Sequence, residues 1–375
     1  MRILIDGRFY GLENAGLGRY ALHIIDNIKS VDKKNSYLVL LRDKYYKSLH
    51  FPSNWEKIRA DYGHYGASEQ LMLPRIIRGS KADLVHFLHF NVPVFGGVDY
   101  VVTIHDLLMH KQKGKDATTL AYPKYMLKRL GYYAVFGRAV GRAKKIIVPT
   151  EVVKKEVVGR YPATSEKIEV IYEGVDSRFE PGLSEGVLKK YKVENKYFVY
   201  AGNAYPHKNL KRLVEAMVFL NKGRKQKIEL LVVSARNVFG ERLEKVLLSL
   251  GASDYVKLLG YVPDEDLVSL YSGSIGFVYP SLSEGFGLPG LEAMASGTLT
   301  LASDISVFRE VYGEAAIYFN PYDFSAIQKA MELVLDLSEE RRKQLVKKGK
   351  RQAKKYDWEK AARKTVKVYE NCAGL

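Results

Sequence analysis

Short apolar runs alternate along the chain with longer stretches in which apolar positions recur every three or four residues, the rhythm of strands separated by amphipathic helices in parallel sheets. The first half carries RILID (2–6), YLVLLR (37–42), DLVHFL (83–88), YVVTIHD (100–106), KIIVPT (145–150) and IEVIYEGVD (168–176). The same rhythm restarts with YFVYAGN (197–203), IELLVVS (228–234), VKLLG (256–260), IGFVYPS (275–281) and TLTLAS (298–303). Helical stretches follow most of these runs, so the pattern predicts an α/β fold of two consecutive doubly wound parallel-sheet domains. Proline and glycine break the periodicity in SRFEPGLSEG, 177–186. The expected domains are therefore 1–178 and 187–355, followed by an amphipathic segment, 356–375, that forms a last helix.

Length supports the division, because 375 residues exceed what one hydrophobic core usually organises. An apolar fraction of 47% with 27% charged residues is that of a water-soluble globular protein, and no window has the roughly 18 apolar residues of a membrane span. The start, MRILIDGRFYG, runs straight into a strand pattern without a cleavable apolar region, and the lone Cys372 permits no internal disulfide. A cytoplasmic protein is expected. The net charge of +17 asks for an anionic partner: nucleic acid, lipid or a phosphorylated small molecule. One basic peak, residues 111–145, sets ten Lys and Arg against one acid with aliphatic and aromatic residues interleaved, a pattern suited to an anionic membrane surface. The other, 341–355, reads as the solvated face of a late helix.

Candidate chemistry clusters after strands, where open parallel sheets bind ligands. Gly16, Leu17 and Gly18 match part of the G-x-G-x-x-A dinucleotide fingerprint, but about nine residues separate Asp6 from Gly16 where the fingerprint needs an immediate turn. What the segment offers is a glycine loop before a helix, either a ligand-facing loop or a plain helix entry. His105 and Asp106 close an apolar strand, a place from which an imidazole faces a crevice or serves the packing. His110 stands five positions on, the wrong spacing for a metal pair on one helical face, and no metal site is expected. Lys208 follows FVYAGNAYPH at a helix start, where a lysine beside free backbone amides suits a phosphate. The acids Asp264, Glu265 and Asp266 spell D-x-D but open a helix, which favours charge at the first turn over metal binding.

The segment SLSEGFGLPGLEAMASG, 281–297, sets Glu284 and Glu292 eight positions apart around Gly285, Gly287, Pro289 and Gly290. Pro289 fits the first turn of a helix, and the glycines let a ligand approach backbone amides. Glu292 in that first turn is placed to accept hydrogen bonds from vicinal hydroxyls.

These residues resemble the retaining, nucleotide-sugar-dependent glycosyltransferases of family GT4, which have the two-domain GT-B fold. The resemblance rests on E-x7-E in the wording EGFGLPGLEAMASG, on GLGRY near the start, TIHD at 103–106, HKNL at 207–210 and REVYGEAAIYFNP at 309–321. It implies two Rossmann-like domains facing a central cleft, with the acceptor on the N-terminal domain, the nucleotide sugar on the C-terminal one, and the last helix packing back toward the N-terminal domain. By position, Glu292 would hold the ribose, and Glu284 with Gly285, Phe286, Gly287 and Leu288 the donor sugar. Lys208, with Asn203 nearby, would meet the diphosphate. Of these, His105, Glu284 and Lys208 stand nearest the chemistry; Gly16, Leu17, Gly18 and Asp106 would shape the acceptor side. Many relatives carry arginine where this chain has Asn203, so Lys208 acts with less help unless a neighbour such as His207 substitutes.

The implied activity is a metal-independent, cofactor-free hexosyltransferase that moves a hexose, best mannose from GDP-mannose, to a glycan or lipid-linked saccharide acceptor in polysaccharide biosynthesis. Peripheral contact with the inner face of the cytoplasmic membrane is expected and nucleic acid is not. A sugar-nucleotide epimerase or hydrolase of the same fold, or a basic nucleic-acid-binding protein, are the rival readings.

Overall fold

A computed structural model describes residues 1–94, 97–111, 121–235 and 238–373. The chain divides into two compact units, one made of Met1–Gly174 with Trp358–Leu375 and the other of Val175–Asp357. The interrupting segment 177–186 thus lies inside the second unit.

In the first unit seven strands form one parallel sheet: β1 (Arg2–Asp6), β2 (Ser36–Leu41), β3 (Trp55–Arg59), β4 (Leu84–Phe87), β5 (Tyr100–Thr103), β6 (Lys145–Val148) and β7 (Ile168–Val170). Their order is β3-β2-β1-β4-β5-β6-β7. Winding reverses between β1 and β4, which pair with Ile3 opposite Leu84 and Asp6 opposite Phe87. Both strands are buried on both faces, which is why they read as unbroken apolar runs. A crevice opens at the carboxyl ends wherever winding reverses, so residues after Asp6 and Phe87 occupy the binding position of this sheet.

The last helix, Trp358–Ala373, belongs to this unit. Trp358 stacks on His23 with ring centroids 4.9 Å apart, and the Tyr369 hydroxyl sits 2.6 Å from His86 Nδ1. The second nitrogen of His86 lies 2.9 Å from the Thr103 hydroxyl, so a buried polar chain fastens the helix to β4 and β5. Burial, with His105 nearby, holds the His86 imidazole neutral, its pKa pushed down to about 3.

In the second unit six strands form another parallel sheet: β8 (Tyr197–Ala201), β9 (Glu229–Val233), β10 (Val256–Gly260), β11 (Gly276–Tyr279), β12 (Thr300–Ser303) and β13 (Ala316–Phe319). The order β10-β9-β8-β11-β12-β13 puts the reversal between β8 and β11, with Gly276 opposite Phe198. Residues after Ala201 and after Tyr279 therefore flank this crevice. Two of the four edge strands, β3 and β13, have no counterpart in the apolar runs read from the sequence.

Candidate functional site

The crevice of the second unit is built from three stapled loops. After β8 the chain passes Gly202 and Asn203, whose carbonyl accepts a 2.8 Å hydrogen bond from the Tyr200 hydroxyl. It then makes a 3-10 turn, Pro206–Lys208, before the helix Leu210–Leu220. Lys208 thus precedes the helix rather than starting it. Asn209, held in the left-handed region at φ 61°, separates the two and donates from Nδ2 to the carbonyls of Pro280 (3.0 Å) and Pro321 (2.8 Å). The Leu282 amide adds a bond to the His207 carbonyl at 2.7 Å. Asn209 went unread in the sequence, although an asparagine following a proline turn is a known bearer of positive φ.

Lys208 Nζ lies 2.6 Å from Glu284 Oε1 and 3.3 Å from the Tyr279 hydroxyl, bringing two of the predicted residues together. Their side chains are 12% and 11% exposed. Burial would raise the Glu284 pKa, but the Lys208 charge, followed by His207 and hydrogen bonding, outweighs it and holds the carboxyl below its ordinary range. His207 behaves oppositely. Its own burial, with Lys208 adding to it, pushes the imidazole down to about 4 against a smaller pull from Glu284. It is held neutral at pH 7 in the ligand-free protein.

Pro289 lies in the first turn of the helix Leu288–Ala295 as expected, but Glu292, 3% exposed, falls in the second turn and not the first, because the helix already starts at Leu288. The glycines before it answer to packing as well as to any ligand. A Cβ at Gly287 would meet the Tyr312 hydroxyl at 2.5 Å, and one at Gly290 would meet the same oxygen at 2.3 Å. Gly287 also takes φ 100°, and its carbonyl accepts a 2.5 Å bond from Tyr312. Clearance at Gly287 thus serves Tyr312 and Phe308 within the fold, which narrows the reading of that glycine as an opening for ligand. Phe286, also buried, meets Tyr356 edge to face at 5.4 Å. Asp264 and Asp266 of the D-x-D segment pair with Arg178 (3.4 Å) and Lys190 (2.6 Å) in the first turn of the helix Asp264–Ser272.

In the first unit, the segment Gly16–Gly18 is not a loop. The helix starts at Ala15, so all three residues are helical. Gly18 is required because a Cβ there would lie 1.8 Å from the Gly11 carbonyl oxygen, where the preceding loop crosses the helix; Gly16 has nothing within 4 Å. Asp106 accepts a 2.8 Å bond from the Leu108 amide, opening the short helix Leu108–Lys111. His105 Nε2 lies 2.9 Å from the Leu88 carbonyl; a carbonyl only accepts, so Nε2 carries the hydrogen. Its Nδ1 faces Glu173 Oε1 at 3.6 Å, and Tyr20 packs edge-on against the ring. His110 is buried between Tyr132 and Tyr161 with its pKa pushed down to about 4 by burial and by nearby arginines, a packing role.

The reversal point of this sheet also holds residues that went unread. Arg8, directly past β1, is 1% exposed; its Nε and Nη2 donate to the two Asp6 oxygens at 2.8 and 2.6 Å, and Nη2 reaches Glu69 at 2.7 Å. Asn91 donates to the same Glu69 at 2.5 Å. His64 stacks on Phe9 at 3.7 Å, and its Nδ1 stays 3.9 Å from Glu69. Arg8 Nη1, His89 Nδ1, the Tyr62 hydroxyl and both His64 nitrogens are buried with no hydrogen-bond partner. Unpaired buried polar atoms are costly, so their concentration at one crevice marks a site shaped for polar contacts.

Two parallel Rossmann-like sheets in tandem, with a lysine–carboxylate pair at the switch point of the second, define a class, and solved structures confirm the fold. Sucrose-phosphate synthase from Thermosynechococcus elongatus superposes with a TM-score of 0.77 at 18% identity over 100% of this chain and 99% of that one. HepE from Anabaena, in complex with UDP and glucose, gives 0.76 at 16% over 99% and 100%. The fold is GT-B. The family description "Glycosyl transferases group 1" matches residues 188–352, and "Glycosyltransferase Family 4" matches 42–179. The O-antigen chain mannosyltransferase RfbU of Salmonella typhimurium is 31% identical over 73% of this chain and 70% of its own length. WbdA of Escherichia coli, a serotype-specific mannosyltransferase, is 28% identical over 86% of this chain, which spans only 42% of WbdA. The chain belongs to the GT4 glycosyltransferases and is an enzyme of sugar transfer.

Proposed function

We propose that the protein is a retaining hexosyltransferase that moves mannose from GDP-mannose to a saccharide or lipid-linked acceptor, without a metal and in contact with an anionic membrane surface. The observation that carries the reading is the Lys208–Glu284 pair at the switch point of the second unit, with the buried Glu292 eight positions on. The names of RfbU and WbdA support mannose as the sugar.

In this reading the bond between the anomeric carbon and the diphosphate oxygen breaks while that carbon bonds to the acceptor oxygen on the same face. The acceptor proton passes to the departing diphosphate. Positive charge grows on the sugar and negative charge on the leaving group, so a cation fixed at the diphosphate lowers the barrier. Lys208 supplies it, and Asn203 of the same loop after β8 joins it at the diphosphate. Glu292 accepts from the ribose hydroxyls. Glu284 and the amides of Gly285, Phe286, Gly287 and Leu288 hold the sugar, and His105 contacts it near the reacting centre. The acids of the D-x-D segment are committed to Arg178 and Lys190, which favours chemistry without a metal.

The test is a thermal-shift screen of nucleotide sugars followed by initial rates with the best donor. GDP-mannose is expected to raise the melting temperature most. Lys208→Ala and Glu292→Ala are expected to lose donor binding and turnover. Full donor binding and full turnover in both variants would refute the site assignment, and release of free sugar without an acceptor would favour a hydrolase.

A further inference from the structure

Glu173 follows β7 and is 9% exposed, so its carboxylate sits largely out of water. Among the described residues no lysine or arginine comes within ion-pair distance of it, and none donates it a hydrogen bond. Its one partner at that range is His105, whose Nδ1 stands 3.6 Å from Oε1. Buried carboxylates are as a rule paired or hydrogen-bonded, so this one depends on the histidine.

The ring of His105 is fixed on its other sides. Nε2 gives its hydrogen to the Leu88 carbonyl at 2.9 Å, and Tyr20 packs edge-on with ring centroids 4.6 Å apart. Tyr20 is itself tied through its hydroxyl to Thr103 Oγ1 at 3.2 Å. The other titratable groups near the ring bring no charge to it. Burial holds His86 and His89 neutral, with the His89 ring centroid 6.4 Å away, and keeps the Tyr20 phenol protonated. Asp106, next in the chain, accepts from the Leu108 amide. With Nε2 as the donor, a neutral imidazole turns a bare lone pair at Nδ1 toward the Glu173 carboxylate, and two acceptors face each other. The contact becomes attractive only with a proton on Nδ1, and an opposite charge so close favours the charged form of both groups. Both ring hydrogens then have acceptors inside the first unit, at Leu88 and Glu173.

We propose that Glu173 is a positioning residue for His105: it draws a proton onto Nδ1 and holds the ring as a fixed cation on the first unit. The proton comes from water and stays on the pair, neither given to the substrates nor taken from them. This assignment stands on the geometry of the first unit; its use in turnover rests on the transferase reading above. Negative charge that grows on the departing oxygen during sugar transfer is stabilised by a preorganised cation near it, and a ring held from three sides is preorganised.

The experiment follows the histidine side-chain nitrogens of the ligand-free, full-length protein by NMR across about pH 5 to 9, the range in which histidine titrates. The parent is compared with Glu173→Gln and Glu173→Leu, and His105→Asn identifies the His105 signals. In both Glu173 variants His105 is expected to release its Nδ1 proton at lower pH, its proton affinity down by roughly tenfold. Initial rates with the donor that the thermal-shift screen selects form the second arm. Glutamine keeps the shape and an amide that can donate to Nδ1, so it preserves the ring's orientation while removing the charge. Both variants are therefore expected to lose roughly tenfold in kcat, with the donor KM changed by less than about twofold. A titration unmoved in both variants would overturn the proposal. So would parental kcat in Glu173→Gln beside a loss in Glu173→Leu, because orientation alone would then suffice. A shifted titration with parental kcat in both would leave the shared proton standing and overturn its role in turnover. A parent that transfers no sugar would remove the transferase reading, and the titration alone would then decide the proton assignment.

Discussion

Replacing Glu284 by glutamine separates the two roles assigned to the site in the second unit. In the ligand-free protein Lys208 and Glu284 form an ion pair at 2.6 Å, each side chain about one-eighth exposed. At an effective dielectric near 20, two charges about 4 Å apart attract by about 4 kcal/mol, and a charged hydrogen bond is worth a net ~1.5–3 kcal/mol to stability. Glu284→Gln keeps the shape and the acceptor oxygen but removes this attraction, so the ligand-free protein is expected to lose roughly 2 kcal/mol and melt several degrees lower. A diphosphate arriving at Lys208 no longer competes with a carboxylate. GDP affinity should therefore hold or tighten by up to about tenfold, which is ~1.4 kcal/mol, and saturating GDP should restore more of the lost melting temperature than it adds to the parent protein. Turnover should move the other way. Loss of one preorganised contact to the reacting sugar costs on the order of 100-fold in kcat. Calorimetry with GDP and initial rates with the sugar donor read the two effects on one preparation. GDP affinity and kcat falling together by the same factor would refute the division of labour, because it would mean that the carboxylate only shapes the loop around the lysine.

Three further outcomes follow from the geometry. His86 and His110 have folded pKa values near 3 and 4, and His207 near 4, all below the unfolded value of about 6.5, so between these limits the unfolded chain binds more protons. Stability should therefore be full above pH 7 and fall by up to about 1.4 kcal/mol per histidine per unit as pH drops below 6.5; urea unfolding at pH 7 and pH 5 reads this, and equal midpoints would contradict it. Tyr369→Phe leaves His86 Nδ1 buried without its 2.6 Å partner and should cost about 1–3 kcal/mol, with faster amide exchange along Trp358–Ala373 than elsewhere; unchanged exchange would show that packing alone fastens the helix. Gly290→Ala drives a Cβ to 2.3 Å from the Tyr312 oxygen and should cost ~1–3 kcal/mol by overpacking, whereas Gly16→Ala, with open space around it, should be tolerated; equal melting temperatures for the two variants would contradict this.

The parts of this fold that were legible in the sequence are those buried on both faces. β1, β4, β8 and β11 read directly as apolar runs because helices cover each side of a central parallel strand. β3, WEKIR, did not, because an edge strand with only its first residue buried has no need of such a run; β13, AIYF, is likewise an edge strand, with only its last residue buried. Lys208 and Glu284 were found because each follows a strand at the switch point. Arg8, His64, Glu69 and His89 were not, since they are scattered over eighty residues and meet only when β3, β1 and β4 are laid in order. A local signal existed for Arg8: an arginine two residues after Asp6, at the end of the first central strand, has nowhere to go but into the crevice. The helix start at Ala15 was hidden by its glycines, of which Gly18 serves the crossing at Gly11 while Gly16 faces open space.

The second unit is a continuous stretch of chain, and the first is not. The amide of Val175 bonds to the carbonyl of Tyr356 at 3.2 Å, so the segments by which the chain enters and leaves the second unit are tied together. During synthesis every residue of Val175–Asp357 is available before the helix that completes the first sheet's cover has been made. The second unit thus needs no residue made after Asp357, while the first lacks the helix that covers Tyr20, His23 and His86 until the chain has passed Trp358. A chain that stops short of Trp358 would carry one finished unit and one with an open flank, which makes the last sixteen helical residues the step at which the newly made protein is committed to its final form.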